Sequence, residues 1–511
     1  MRVGSGVSRR AFLAALGIGT VASAAGCSSD NAQEVSSVTR GDGSGSGSNA
    51  NVMPSKKWRI PPAKRAAPSF LAAYGGKVSL RPGEPLPVHV STKRTSWHVR
   101  AYRVGYYDGI GGALVATTEE FPGHKYDEPT FAPGTKAVTV NWPVGTNMDT
   151  SDWPEGLYII QVVSRKDRTE FPIVVRSADA TDKVAVIPSA TTWQAYNNWG
   201  GRSLYIGPDN QFGTRSYAVN FQRPYSDRGL QQLYSMCVPM AQLADESRVP
   251  VAWFANTDIS LNPDLLKGAL GAASLGHDEY WTNTYRTAME SLRDNGGNLA
   301  FFGANACYWR VRVDPDTNGN PLVMTCYKDA GLDPVKGATT TARWRDDPKA
   351  RAENAMIGQY YDAFPVTGAL VIRDPDFFLF EGTGVTAGTQ LNGLLGSEID
   401  RYYPIDSTPR PIQVPALSPT ASRGVGTWHT MTYYTTDSGA GVFSTGTMGW
   451  SRSLKYPTQP AGISDEARAF AHKVSLNVYA ALSLRGLGKK HPATDDTADL
   501  PLPANNTTGA A

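Results

Sequence analysis

The sequence predicts an α/β plus β protein, an N-terminal immunoglobulin-like β-sandwich followed by a doubly wound α/β domain that carries a β-containing insertion. Three observations predict it. Between residues 64 and 178, alternating and β-branched runs are separated by Pro and Gly turns. From residue 179, short apolar runs alternate with amphipathic stretches, as in parallel strands joined by crossover helices. The third is that these apolar runs break off into polar and aromatic residues, which puts chemistry at strand carboxyl ends, where open α/β sheets bind ligands.

The leader comes first in the chain and is set apart from the fold. Ser8-Arg9-Arg10-Ala11-Phe12-Leu13 carries the twin-arginine export pattern, followed by an apolar stretch, 14–25, too short to span a bilayer comfortably. Ala24-Ala25-Gly26-Cys27 resembles a lipoprotein box with Cys27 as the lipidated first residue of the mature protein; cleavage after Ala24 is the competing reading and gives a secreted form. Residues 1–27 are thus assigned to the signal and 28–63 to a flexible tether, Gly-Ser-rich around 41–48, holding the protein at the outer face of the membrane. Twin-arginine export carries folded proteins, with a cofactor inserted beforehand or simply after rapid folding.

In the sandwich, residues 64–178, the clearest strands are 78–80, 86–91, 97–104, 136–141, 156–164 and 170–175. The aromatics of 102–109 and 153–158 are expected to pack, with a glycan-binding face as the alternative. The α/β domain, 179–485, is read as a sheet of the flavodoxin or glutamine-amidotransferase type. Its strands are 184–187, 249–255, 268–275 and 298–305; helices are expected over 231–243, 282–294 and 466–484, the last burying Ala469, His472, Val474, Val478 and Leu482. Residues 189–205 read as a functional loop. Beyond Arg310 regularity fails, and strands at 371–372, 377–380 and 427–435 mark an insertion; 486–511 reads as a disordered tail.

Composition excludes one class of partner. A formal charge of +3, with 41% apolar and 19% charged residues, fits a globular protein and offers no basic surface for nucleic acid. The chain has four cysteines; Cys307 and Cys326 could close a disulfide in an oxidising compartment, while Cys237 reads as a buried small hydrophobe. No thiol pair has metal spacing, and no Gly-x-Ser-x-Gly elbow or phosphate loop occurs.

What the expected rim offers is phenols and carboxylates. Gly276-His277-Asp278-Glu279-Tyr280-Trp281 presents an imidazole and two acids at a strand end, and Tyr196 and Tyr205 flank the neighbouring loop. A tyrosine oxygen ligates only as phenolate, and its free pKa of about 10 means that a hard, strongly acidic cation such as ferric iron must displace the proton. Taken on spacing alone, packing is the more frequent role for such tyrosines.

Thr192-Trp193-Gln194-Ala195-Tyr196, the run Asn197-Asn198-Trp199-Gly200-Gly201-Arg202-Ser203-Leu204-Tyr205, the 276–281 hexapeptide and the Asn-bearing stretch 301–305 together resemble the family of the large (β) subunit of N,N-dimethylformamidase. The units 102–109 and 153–158 also resemble that family's β-domain, so the likeness covers roughly residues 70–485. The resemblance implies an amide hydrolase with a mononuclear ferric iron held by Tyr196, a second tyrosine and Glu279. Tyr205 matches the second tyrosine, with Tyr217 and Tyr225 as alternatives. His277 and Asn305 match polar groups beside the metal, and Glu398 matches a further acid. On that basis His277 or Glu398 handles the water's proton, and Asn305 donates to the oxyanion.

Two departures bear on function. The formamidase works with a small partner subunit, and it is not exported. The expected substrate is therefore a small-molecule amide or a cell-wall-derived compound rather than dimethylformamide. A surface-anchored glycan-binding lipoprotein with an inert metal site, oxidative chemistry on the same iron, and assembly into a homo-oligomer stay open at this point. Asp278 is expected to face away from the metal and cap the following helix.

Overall fold

The computed structural model describes residues 52–454 and 461–502; the twin-arginine motif, Cys27, residues 28–51 and residues 503–511 lie outside them. The described chain begins docked. Met53–Pro54 adds a strand to the first sheet, and Trp58, fully buried, donates its indole N–H to Ile110 O at 2.9 Å. An indole gives this stretch something to bury, which the Gly-Ser stretch lacks.

Two antiparallel layers follow. In chain order their main strands are β1 (Leu71–Gly75), β2 (Leu86–Thr92), β3 (Ser96–Val104), β4 (Gly112–Thr117), β5 (Thr146–Met148), β6 (Gly156–Ser164) and β7 (Asp167–Val175). β5, β2 and β1 make one sheet, and β4, β3, β6 and β7 the middle of the other. Alternation decides what each strand face touches. Tyr158, Ile160 and Val162 of β6 share a core with Leu86, Val88 and Val90 of β2, between the two sheets. Leu157 and Ile159 point the other way and share a core with Leu243 and Ala244 of the α/β part. Every residue of β6 is buried for that reason. Arg103 of β3 seals the same junction, both its terminal nitrogens lying 3.0 Å from Asp245 Oδ1. Tyr102, Trp153 and Tyr158 are buried, so these aromatics pack as expected, Trp153 stacking on Tyr158 at 5.1 Å.

The larger sheet is built from β8 (Val184–Ile187), β9 (Val251–Trp253), β10 (Gly271–Ser274), β11 (Asn298–Phe301), β12 (Tyr360–Val371), β13 (Gln390–Arg401), β14 (Ile412–Ser422), β15 (Val425–Thr435) and β16 (Gly441–Ser444), less β12 and β13, which pair with each other. Its order is β9-β8-β10-β11-β16-β15-β14; the pairs from β9 to β16 are parallel and the last two antiparallel. The helices are α1 (Ala190–Tyr196), α2 (Asp227–Gln232), α3 (Val238–Glu246), α4 (Asn256–Leu261), α5 (Asn283–Asp294) and α6 (Asp465–Leu482). Val184, Val186, Ala273 and Ala300 share one core with α3 and α6, whereas Ala185, Ile187, Ala272 and Leu299 share another with α4 and α5. Both faces are covered, which is why these strands read as continuous apolar runs. From β8 the chain travels outward to β9, and from β10 it travels the opposite way to β11. The carboxyl ends of β8 and β10 therefore flank a topological switch point.

Several expectations are corrected. Residues 377–380 form a short 3-10 turn, Phe378–Phe380, because three adjacent rings pack on Tyr433, Phe443 and Phe470 rather than alternating across a strand. The helix expected at 231–243 is α2 and α3 joined by a π-turn at Leu233–Cys237. In α6, Val474, Val478 and Leu482 are buried, but Ala469 is exposed and His472 is half-exposed and paired with Glu246 at 2.9 Å; Phe470 and Tyr479 take the core positions. Cys307 and Cys326 are both free and lie in different cores, so no disulfide joins them. Residues 486–502 are not a loose tail: Leu487 is buried, Asp496 bonds Arg373, and Leu500 and Leu502 pack on the α/β core.

Ile159 is fully buried at the junction of the two parts. Ile159→Ala is expected to destabilise the protein by about 2–5 kcal/mol through lost burial and the cavity left behind. Urea unfolding followed by tryptophan fluorescence and by far-ultraviolet circular dichroism should keep a single, coincident, earlier transition, since the core is shared.

Candidate active site

β8 and β10 end level, with Ile187 paired to Ser274, and each releases its chain toward the switch point. After β8 the chain enters α1, so the first half of the expected loop 189–205 is helical and sets Tyr196 at its carboxyl end. Trp199–Gly201 then turns the chain back toward Tyr205. After β10 comes Gly276 at φ +65, where a Cβ would sit 2.4 Å from Met236 O; a Cβ on Gly303, after β11, would sit 2.3 Å from Gly276 O. Only glycine permits these backbones to pass so closely.

The 276–281 segment is pinned from every side. Glu279 N–H donates to Thr192 Oγ1 (3.1 Å), and Glu279 O accepts from the main-chain N–H of Tyr308 (3.0 Å) and Trp309 (2.8 Å). Asp278 is buried and accepts from Asn256 Nδ2 (3.0 Å), Ser274 Oγ (3.0 Å) and the Tyr285 hydroxyl (2.9 Å). It faces away from Tyr196 and Tyr205, but it does not cap the helix; Thr282 Oγ1 does so by accepting from Tyr285 N–H at 3.1 Å. Burial pushes the Asp278 carboxyl up to about 7.

Three oxygens groups converge on one point. Tyr205 donates to Glu279 Oε1 at 2.6 Å, Tyr196 lies 3.0 Å from Glu279 Oε2, and the two phenol oxygens are 3.1 Å apart. Trp309 Nε1–H adds a bond to Glu279 Oε1 at 2.9 Å. Tyr205 is thus the tyrosine that joins Tyr196; Tyr217 instead stacks on Tyr327, and Tyr225 is half-buried beside Gln194. Burial, and after it the Glu279 carboxylate, pushes both phenols well above their ordinary range. The pair therefore keeps its protons unless a cation replaces them.

His277 stands at the edge of this triangle, fully enclosed. Its Nδ1 lies 3.3 Å from Gln232 Oε1; its Nε2 is 3.4 Å from Glu279 Oε2 and 3.8 Å from Glu398 Oε2, and has no hydrogen-bond partner. Burial lowers the imidazole's affinity for a second proton, opposed by Glu279. Glu398 comes from β13 and accepts from Asn305 Nδ2 at 2.8 Å. Burial and the neighbouring Glu279 push its carboxyl well above the usual range. The six candidate site residues, Tyr196, Tyr205, His277, Glu279 and Asn305 with Glu398 from the expected insertion, are therefore brought together. The surface hollows lined by residues 375–385 and by residues from 116–149 share none of them.

Other members escaped the sequence reading. The Lys328 ammonium lies over the rings of Tyr205 (3.8 Å), Trp309 (4.2 Å) and Tyr280 (4.7 Å) and donates to the Tyr280 hydroxyl. It puts a positive charge against the acidic group. Lys328 comes from the stretch with little periodicity; the only signal was its place after a short apolar strand, Pro321–Thr325. Gln232 had no signal beyond its helix.

The donor set fits a trivalent cation. Two phenolates and a carboxylate supply three negative charges and only hard oxygen donors, and His277 Nε2 and Asn305 Oδ1 are buried polar atoms left without a partner. Among the described residues no three His, Cys, Asp or Glu side chains gather as a metal set, so such a site depends on the tyrosines.

No curated protein matches the chain. The family model described as N,N-dimethylformamidase beta subunit-like, C-terminal, matches residues 98–464, from within β3 of the N-terminal sheets to the cap of α6, and includes every residue of the cluster. The chain belongs to the N,N-dimethylformamidase beta subunit-like family.

Proposed function

We propose that the protein is an exported, iron-dependent hydrolase of a carbon–nitrogen amide-type bond. The observation that carries this reading is the closed triangle of Tyr196, Tyr205 and Glu279 at the switch point. These three would hold one ferric ion, whose charge their ionised forms balance; a buried site tolerates a neutral assembly far better than an unmatched charge. When bound, iron supplies Lewis acidity to polarise an amide carbonyl and to make a water more acidic. Family membership supports an amide hydrolase.

The chain's own groups would do the rest. His277, neutral at Nε2, accepts the water's proton. Glu398, whose carboxyl the loss of water contact and the neighbouring Glu279 raise well above the usual range, delivers a proton to the departing amine. Asn305 spends one N–H of Nδ2 on Glu398 and has a second to donate to the developing oxyanion. Lys328, fixed among three rings, offsets negative charge beside these acids.

In the same reading the paired sheets are an immunoglobulin-like sandwich, and the larger sheet is a doubly wound domain of flavodoxin or glutamine-amidotransferase type. Export runs by the twin-arginine route, with Cys27 as lipid anchor at the outer membrane face. The substrate is then a small amide or a wall-derived compound met outside the cell.

Protein loaded with ferric iron is expected to bind one ion per chain and to show a visible phenolate-to-iron band. Tyr196→Phe and Tyr205→Phe should each bleach or shift that band. A colourless wild type without stoichiometric iron would overturn the metal assignment.

His277→Gln should keep iron and colour yet lose amide turnover by about 10²–10⁴-fold, the usual worth of a general base. Turnover of formamide, acetamide and 4-nitroacetanilide, assayed beside iron content, checks this. Loss of iron in that variant would make His277 a ligand instead.

A further inference from the structure

We infer that Asp400 is a positioning residue for Glu398, acting through the Asn305 loop, an inference that rests on the reading of Glu398 as the proton donor. β13 carries Glu398 and Asp400 two residues apart, hence on one face of the strand. Their side chains nonetheless do different things. Glu398 meets His277 and Asn305, whereas both oxygens of the buried Asp400 carboxylate accept the main-chain N–H of Asn305, at 2.8 and 3.0 Å.

That bond sits where the backbone needs it. Asn305 has φ +59, a left-handed conformation that Asn adopts more readily than most residues and that here turns the chain leaving β11. The turn aims Asn305 Nδ2 at Glu398 Oε2, 2.8 Å away. That bond holds one oxygen of the Glu398 carboxyl. β13 therefore holds Glu398 twice, directly as its own residue and indirectly through Asp400, Asn305 and back. Even with a proton on one oxygen, the Asp400 carboxyl keeps a carbonyl oxygen to accept that backbone N–H, a directional bond in a dry site.

The Asp400 carboxylate bonds are to the Asn305 N–H, whereas Glu279 is bonded by Tyr196, Tyr205 and Trp309. Its main-chain N–H goes to Gly446 O at 2.8 Å, toward the far side of the strand. Removing its carboxylate should disturb the donor and leave the iron ligands in place. A residue that merely held the loop against unfolding would affect stability without separating these effects.

The test compares wild type, D400N, D400L, N305A and N305A/D400L, all loaded with ferric iron. Iron content and the phenolate band should be unchanged by substitution at 400. Turnover of the amide best used among formamide, acetamide and 4-nitroacetanilide should lose about ten- to a hundredfold in kcat for D400L, less for D400N, with KM within about twofold. In the N305A background D400L should cost nothing further, since the two residues act in series. Additive losses, or an unchanged kcat in D400L, would overturn the inference. Crystal structures of wild type and D400L decide the geometry without turnover: the Asn305 amide should leave Glu398, and its persistence there would equally overturn the proposal. Should D400L fail to fold, D400N, which keeps one acceptor oxygen, carries the same comparisons. A wild type without iron or turnover would sink the hydrolase reading, while the two structures would still decide the role of Asp400.

Discussion

One buried carboxylate governs the arrangement around it. Glu279 is almost wholly withdrawn from water, yet it receives two phenol hydroxyls and an indole N–H. A carboxylate in that setting is tolerated only when its lone pairs are met by donors or by a cation. Tyr196 and Tyr205 come from the 189–205 segment and Trp309 from the stretch after β11, so satisfying one side chain fixes the placement of both segments against the one that carries Glu279. The short parallel pairing of Tyr280–Trp281 with Trp309–Arg310 and the bond from Thr191 Oγ1 to Tyr280 O (2.9 Å) serve the same end.

The fold makes that placement rigid. Because β8 and β10 send their chains in opposite directions, a gap opens between their ends, and the loops that fill it lean on buried elements. Asn256, at the start of α4, bonds both Thr191 after β8 and Asp278 after β10. Asp278, although next to Glu279, works inward on Ser274 and Tyr285. Adjacent acids in the hexapeptide thus divide the labour, one anchoring the segment and one presenting oxygen. Alternate direction of neighbouring side chains in an extended segment is enough to separate them.

How much of this was legible in the sequence depends on whether a local pattern carried it. The parallel strands were legible from their apolar runs, and Tyr196, His277 and Glu279 from abrupt changes at strand ends, where the family likeness also lies. The helical start of 189–205 was not, because Thr191, Thr192 and Trp193 are indifferent helix formers and tertiary burial decided the matter. Ring packing overrode the strand reading at 377–380, and the cysteine pair failed because proximity in sequence says nothing about which core each thiol enters. Lys328 and Asp400 were invisible as site residues. Their roles depend on contacts to Tyr205 and Asn305 across 123 and 95 residues, respectively, and no local period encodes those contacts.

The charge balance of the cluster explains why its parts belong together. Glu279, Glu398 and Asp400 bring three acids into a small buried volume, with Lys328 the cation stacked beside them. Burial pushes Asp400 up to about 8, opposed by the Asn305 N–H, and burial with the neighbouring Glu279 pushes Glu398 well above its ordinary range, so Glu398 is the acid of the cluster suited to carry a proton. Glu279 differs in its neighbours. Three donors point at it, and two of these are phenols whose protons a sufficiently acidic cation could displace. The site is thereby divided into a part suited to take positive charge and a part suited to hold a proton, and His277, whose Nε2 lies between Glu279 and Glu398, touches both. Hydrolysis of an amide needs that division, because the carbonyl oxygen gains negative charge while the nitrogen must gain a proton, and no single group can serve both ends of the bond.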